Sequence, residues 1–364
     1  MIRPRAHVET LAPVYHGSIG DAELAALGLR REEVVDFSVN ANPLGPSPAA
    51  VAAARAAVWA HYPDDRATAL REALARREGV GVEQVVVANG SAELIWLLAL
   101  AFVDPGDAAL VVGPTFGEYA RAVRVAGGVV HEWRARAEDD FAVDVDAVVA
   151  AAVEARARLL FLCNPNNPTG VLLPFEEIEA LARALPETLL ALDEAYVPFV
   201  DEPVRSNALG GAVLLRSLTK DQAMAGLRLG YALAPAPIAD ALDRVRPPWS
   251  VNAVAQAAGL AAIADGEHLA RAREEVGRAR AYVTRALRDL GLRVVPSAAN
   301  YVLVEVGNGA AARAELLSRG IVVRDCASFG LPSFVRIGLR TLPECERLVA
   351  AFASAGVGRG GVPT

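Results

Sequence analysis

Lysine is nearly missing from this chain. Of the 36 basic residues among 364, one, Lys220, is a lysine and every other is arginine. A chain that keeps a single lysine has to be tested for chemistry that arginine cannot do. Arginine never gives up its proton in proteins, whereas a lysine amine can lose its proton, attack a carbonyl and form a Schiff base. One lysine can also survive by chance in an arginine-biased composition, so its neighbours decide. The apolar run Ala212-Val213-Leu214-Leu215 reads as a buried strand. Ser217 and Thr219 place hydroxyls at its C-terminal end, where open α/β sheets bind ligands.

Cysteine is scarce too. Cys163, Cys326 and Cys345 are far apart and odd in number, which argues against a disulfide framework and fits free thiols in a reducing compartment. No Cys-x-x-Cys or His-x-x-x-His pair occurs and the five histidines are scattered, so no metal site is expected. Blocks of positive charge are lacking and the formal net charge is -7, which argues against a nucleic-acid surface. The most apolar long run, Val85 to Val103, is interrupted by Asn89, Gly90, Ser91 and Glu93, so a strand, loop and helix are expected in place of a membrane span. No charged apolar leader opens the chain, and the expected location is the cytoplasm.

The length favours two domains. Residues 1–48 read as an N-terminal arm ending in the proline-rich Asn40-Ala41-Asn42-Pro43-Leu44-Gly45-Pro46-Ser47-Pro48, a shaped loop leading into a helix. From there a large domain runs to 250. Its apolar runs at 85–88, 109–113, 128–133, 158–163, 189–193, 212–216 and 229–233 alternate with helical stretches, the signature of an α/β fold whose mostly parallel seven-stranded sheet lies between helices. Residues 251–356 form the expected smaller α+β domain, with one long amphipathic helix from 252 to about 290 and strands at 292–296, 300–306, 321–324 and 334–338. The glycine-rich tail 357–364 is expected to be disordered.

Three motifs sit at predicted strand ends. Asn89-Gly90-Ser91-Ala92-Glu93 opens a helix whose free N–H groups can bind an anion, although an ordinary helix start reads the same way. Asn164-Pro165-Asn166-Asn167-Pro168-Thr169-Gly170 is a rigid turn able to hold an asparagine amide. Asp193-Glu194-Ala195-Tyr196 ends an apolar strand in a carboxylate that needs a cationic partner if buried. Pro114-Thr115-Phe116-Gly117-Glu118-Tyr119 can lay an aromatic face over a planar ligand, or simply fill the core.

In spacing and order, Asn167, Asp193, Tyr196, Ser217, Lys220 and Arg228 resemble the aspartate aminotransferase superfamily, the fold-type-I enzymes that use pyridoxal 5'-phosphate. The resemblance spans Asn40 to about Phe352. It implies that Lys220 carries the cofactor as a Schiff base and moves the proton at the substrate's Cα, and that Asp193 keeps the pyridine nitrogen protonated. Tyr196 and Asn167 would bond the ring oxygen and Phe116 would stack on the ring. Ser91, Ala92, Ser217, Thr219 and Arg228 would hold the phosphate. Tyr62 would reach the partner subunit's phosphate, which implies a homodimer with shared sites. For the substrate, the resemblance points to Arg336 in Phe334-Val335-Arg336-Ile337-Gly338, to Arg324 in Ile321-Val322-Val323-Arg324-Asp325-Cys326, and to Asn40.

Within that superfamily the chain resembles the branch of histidinol-phosphate aminotransferase and the threonine-phosphate decarboxylase of cobalamin synthesis. The expected activity is amino transfer between a small phosphorylated amino substrate and a 2-oxo acid, with threonine-phosphate decarboxylation as the alternative. His16-Gly17-Ser18, Asp36-Phe37-Ser38-Val39-Asn40, Pro248-Trp249-Ser250-Val251-Asn252 and Arg324-Asp325-Cys326 lean toward the decarboxylase, but Ser18 stands where that enzyme usually has glycine. A serine β-lactamase reading of Ser217-Leu218-Thr219-Lys220 fails, because its Lys-Thr-Gly element cannot exist with one lysine.

Overall fold

The computed structural model describes residues 2–9, 11, 17, 19–201 and 206–357. The strands are, in chain order, β1 (Val35–Asp36), β2 (Val85–Ala88), β3 (Ala108–Gly113), β4 (Val129–Arg134), β5 (Leu159–Cys163), β6 (Leu189–Asp193), β7 (Val213–Ser217), β8 (Gly230–Leu233), β9 (Arg293–Val294), β10 (Tyr301–Glu305), β11 (Ile321–Val322), β12 (Arg324–Asp325) and β13 (Phe334–Gly338). A seven-stranded sheet has the order β2-β8-β7-β6-β5-β3-β4, parallel except for the two pairings of β8. Helices cover both faces, so β2 and β5 are buried at every residue and read as unbroken apolar runs. Leu70, Leu74, Leu160, Leu192 and Leu214 fill one side, while Leu94, Leu98, Phe161, Val213 and Leu215 fill the other.

A four-stranded antiparallel sheet, β12-β13-β10-β9, forms the second core with Val276, Val283, Leu348 and Phe352. The arm joins this unit: β1 pairs in parallel with β11, and Val35 and Phe37 lie in the same core. The expected strand 321–324 is therefore two short ones. Ile321–Val322 pairs with the arm and Arg324–Asp325 pairs with β13, so neighbouring residues serve different sheets.

The expected long helix from 252 is also two, Ala253–Ala264 and Gly266–Asp289. Asp265 stops the first and caps the second, its side chain accepting from the His268 N–H at 3.2 Å. Ala255, Ala258 and Ala262 pack in the large core, and Val276, Ala279 and Val283 turn away from it toward the smaller unit. The packing changes hands at Asp265. Residues 358–364 of the tail, and His16 and Ser18, lie outside the described residues. Among the described residues no helix is long and apolar enough to cross a membrane.

Candidate active site

The C-terminal edge of the large sheet gathers the polar residues. Asp193 ends β6 beside Cys163, its register partner at the end of β5, and Ser217 ends β7. Of the residues singled out above, Asn40, Ser91, Ala92, Phe116, Asn167, Asp193, Tyr196, Thr219, Lys220, Arg228, Arg324 and Arg336 line one cavity of about 820 Å³. Ser217 and Tyr62 do not line it. Ser217 is buried, its hydroxyl 2.7 Å from Thr219 Oγ1, so it reaches the cavity only through Thr219. Tyr62 is 81% exposed and stacks on Trp249 at 4.6 Å.

One end of the cavity is an anion cradle. The helix Ser91–Phe102 starts at Gly90 (φ 82°) with no side-chain cap, leaving its first N–H groups free to face an anion. A Cβ at Gly90 would sit 2.8 Å from Arg228 Nη2, and one at Gly230 would sit 2.7 Å from the Gly90 carbonyl carbon. Both glycines are needed for that close approach. Arg228 itself takes a left-handed backbone (φ 57°) that turns its side chain over the helix start.

The floor is a buried carboxylate. Asp193 accepts from the Tyr119 hydroxyl at 2.8 Å and from the Ala195 N–H at 3.0 Å, yet burial still holds its carboxyl above the ordinary range. Such a group gains from a cation placed against it. Lys220 supplies one charge nearby, but its own amine is lowered to about 8 by burial and then by the Arg336 and Arg228 charges, against the pull of Asp193. Near neutral pH an appreciable share of this amine is unprotonated, as a nucleophile or proton carrier requires. Tyr196 lies edge-on to Tyr301 at 4.9 Å, and burial pushes its hydroxyl pKa up.

Glu194 points to the opposite side from Asp193 and meets Arg216 Nε at 2.7 Å, joining the ends of β6 and β7 behind the site. The far wall comes from the smaller sheet. Arg324 on β12 is the direct cross-strand partner of Arg336 on β13, and both are buried. Arg336 donates to Asn167 Oδ1 and, at 2.9 Å, to the Ser38 carbonyl. Arg324 donates to Ser328 Oγ at 2.7 Å and lies over the Phe329 ring.

Tyr119 and Ser328 escaped the sequence reading of the site. Tyr119 was within reach, since it closes the aromatic motif 114–119, and its ring lies edge-on to Phe116 at 5.7 Å. Ser328 carries no such signal, because a short 3-10 turn over Ala327–Phe329 brings it back to Arg324.

The sequence pattern of aminotransferase class I and II matches residues 32–352. The chain belongs to that family. Histidinol-phosphate aminotransferase of Symbiobacterium thermophilum is 40% identical over 96% of this chain and 98% of its own, and that of Anaeromyxobacter sp. is 39% identical over 95% and 97%. Among solved structures, the histidinol-phosphate aminotransferase of Sinorhizobium meliloti in complex with pyridoxal-5'-phosphate superposes with a TM-score of 0.87 at 27% identity, covering 98% of each chain. Aspartate aminotransferase of Thermus thermophilus with maleate gives 0.82 at 30% identity, over 98% of this chain and 100% of that one.

Like its family, this aminotransferase depends on pyridoxal phosphate. The residues present fit that group. The cradle of uncapped N–H groups, Thr219 and Arg228 suits a phosphate, the buried Asp193 suits a protonated ring nitrogen, and Lys220 suits covalent attachment.

Proposed function

We propose that this aminotransferase moves an amino group between histidinol phosphate and a 2-oxo acid. The observation that carries the reading is the pairing of Arg324 with Arg336 across β12 and β13, both buried and both facing the cavity that holds Lys220. Like charges directly opposite on neighbouring strands destabilise a sheet, so the pair calls for anions between or before them. Arg336 donates only to neutral oxygens and its Nε has no partner, which leaves capacity for a carboxylate. Arg324, steadied by Ser328 and Phe329, suits the phosphate of the amino substrate. The names of the relatives support the same substrate.

In this reading Lys220 holds the cofactor and then carries the proton at the substrate's Cα. The bound pyridoxal phosphate supplies a ring that accepts the electrons left when that proton leaves. Ser91, Ala92, Thr219 and Arg228 hold its phosphate, with Ser217 orienting Thr219. Phe116 would cover the ring, Asp193 would hold its nitrogen protonated, and Tyr196 and Asn167 would bond its oxygen. Asn40, buried in the wall of the same cavity beside Tyr196, is left to meet the substrate.

The working unit is a cytoplasmic homodimer. Tyr62 stands away from its own cavity, stacked on the exposed Trp249, apolar surface that a second copy would cover while Tyr62 reaches that copy's phosphate cradle. Sedimentation should give twice the mass of the chain.

The deciding experiment incubates the purified protein with histidinol phosphate and 2-oxoglutarate, and separately with threonine phosphate. Glutamate formation from the first supports the proposal. Carbon dioxide from the second, with no glutamate from the first, would replace amino transfer by decarboxylation.

A further inference from the structure

The proline-rich segment after Asn40 has a use that the catalytic reading leaves untouched. Asn42 is buried, 4% exposed. Its backbone N–H donates to the Lys220 carbonyl at 2.8 Å and its Nδ2 donates to the Asp221 carbonyl at 2.9 Å. Its Oδ1 accepts from the Leu44 N–H at 2.9 Å, closing the local turn. One residue thus holds two successive peptide carbonyls on either side of the bond that follows the lysine. Besides Asn42, the Lys220 carbonyl accepts from the Ala223 N–H, at a longer 3.3 Å.

The same segment is fastened at its other end to the smaller sheet. The Phe37 N–H donates to the Val322 carbonyl and the Gly338 N–H donates to the Phe37 carbonyl, both at 2.7 Å. The Ser38 carbonyl takes the bond from Arg336. Downstream, the Gly45 carbonyl lies 2.9 Å from His268 Nε2, on the helix that opens the smaller core. Residues 37 to 45 therefore run as a strap, fastened at Phe37, Ser38, Asn42 and Gly45, from the strand of Arg336 to the backbone of Lys220.

We propose that Asn42 is a positioning residue for Lys220, fixing the base of the lysine relative to the arginine that reads the substrate. The inference rests on the reading that Lys220 holds the cofactor. A lysine amine rides on a flexible four-carbon stem, so its reach is set by where its Cα is pinned. With the Asp221 carbonyl released and only the backbone bond to the Lys220 carbonyl left, the turn after β7 can shift, and the amine loses its alignment with the substrate's Cα.

Two variants separate this role from turn formation. Asn42→Ser keeps an acceptor for the Leu44 N–H but is too short to reach the Asp221 carbonyl, and Asn42→Ala loses both side-chain bonds, while the backbone bond to the Lys220 carbonyl stays in each. Each is loaded with cofactor and compared with wild type by melting temperature and by substrate affinity and single-turnover rate with histidinol phosphate. The visible band of the lysine-bound cofactor is also followed against pH. The groups facing the amine are Arg336, Arg228 and Asp193, and none is altered. Both variants should slow the single turnover roughly tenfold, short of the hundredfold that a 1 Å misplacement costs. Affinity should stay within about twofold, and the midpoint of the band should be displaced. If Asn42→Ser keeps the wild-type rate and midpoint, or loses melting temperature alone, the positioning role is wrong. A wild-type protein without a lysine-bound band would instead defeat the reading of Lys220 itself.

Discussion

Replacing Lys220 with methionine, which keeps an apolar stem of similar length without the charge, should make the cofactor-free protein more stable at pH 7. Burial, with Arg336 and Arg228, lowers this amine from an ordinary 10.5 to about 8. A depressed folded pKa contributes stability that is present above the unfolded value of 10.5 and lost as pH falls through the folded value of about 8. That span amounts to roughly 3 kcal/mol, at roughly 1.4 kcal/mol per pH unit, and the wild type has lost nearly all of it by pH 7. Removing the amine also takes a cation from Asp193, whose carboxyl burial already pushes up. The expected gain at pH 7 is therefore about 1–2 kcal/mol. Urea unfolding of both cofactor-free proteins, at one fixed protein concentration and at pH 7 and pH 10, measures it. The gap should narrow toward pH 10. A wild type as stable as Lys220→Met at pH 7, or a gap that widens with pH, would refute the reasoning.

Arg324→Gln should weaken the use of histidinol phosphate by about 2–5 kcal/mol in transition-state binding while costing unphosphorylated histidinol far less; equal losses would remove Arg324 from phosphate recognition. Tyr119→Phe keeps the stacking on Phe161 but takes one of the two donors from Asp193, so turnover should fall roughly tenfold with the fold intact, and unchanged turnover would show that the bond is idle. Arg216→Met leaves Glu194, whose carboxyl burial pushes up, without its partner, and should cost about 3–5 kcal/mol of stability at neutral pH. That loss should shrink as pH falls through the raised pKa of Glu194, because the protonated acid needs no cation, and a loss independent of pH would argue against an ionised Glu194.

The large sheet was legible because its inner strands are buried apolar runs with a polar break after each, although the edge strand β4, Val129–Arg134, is exposed or half-buried along its length. Runs at 85–88 and 189–193 coincide with β2 and β6 to the residue. The direction of β8 was not legible, since an antiparallel return through the loop 218–229 leaves the same apolar pattern as a parallel crossover. The smaller unit was harder. Whether Val322 and Arg324 serve one strand or two depends on the arm 35–36, nearly 300 positions away, and no local periodicity reports that. For the site, residue type was enough where chemistry needs a particular side chain, as at Lys220 and Asp193. It was not enough for Tyr119 or Asn42, whose partners at Asp193 and Asp221 are brought to them by the fold.

The single lysine has a practical consequence at the peptide level. A protease that cuts only after lysine has one cleavable bond in the chain, Lys220–Asp221, and both carbonyls flanking that bond are claimed by Asn42. Without cofactor on Lys220, the folded protein should resist such a protease until the strap lifts. Each cut then yields the same two fragments, so the cleavage rate on a gel reports the open population of the active centre, and at high protease the rate of opening itself.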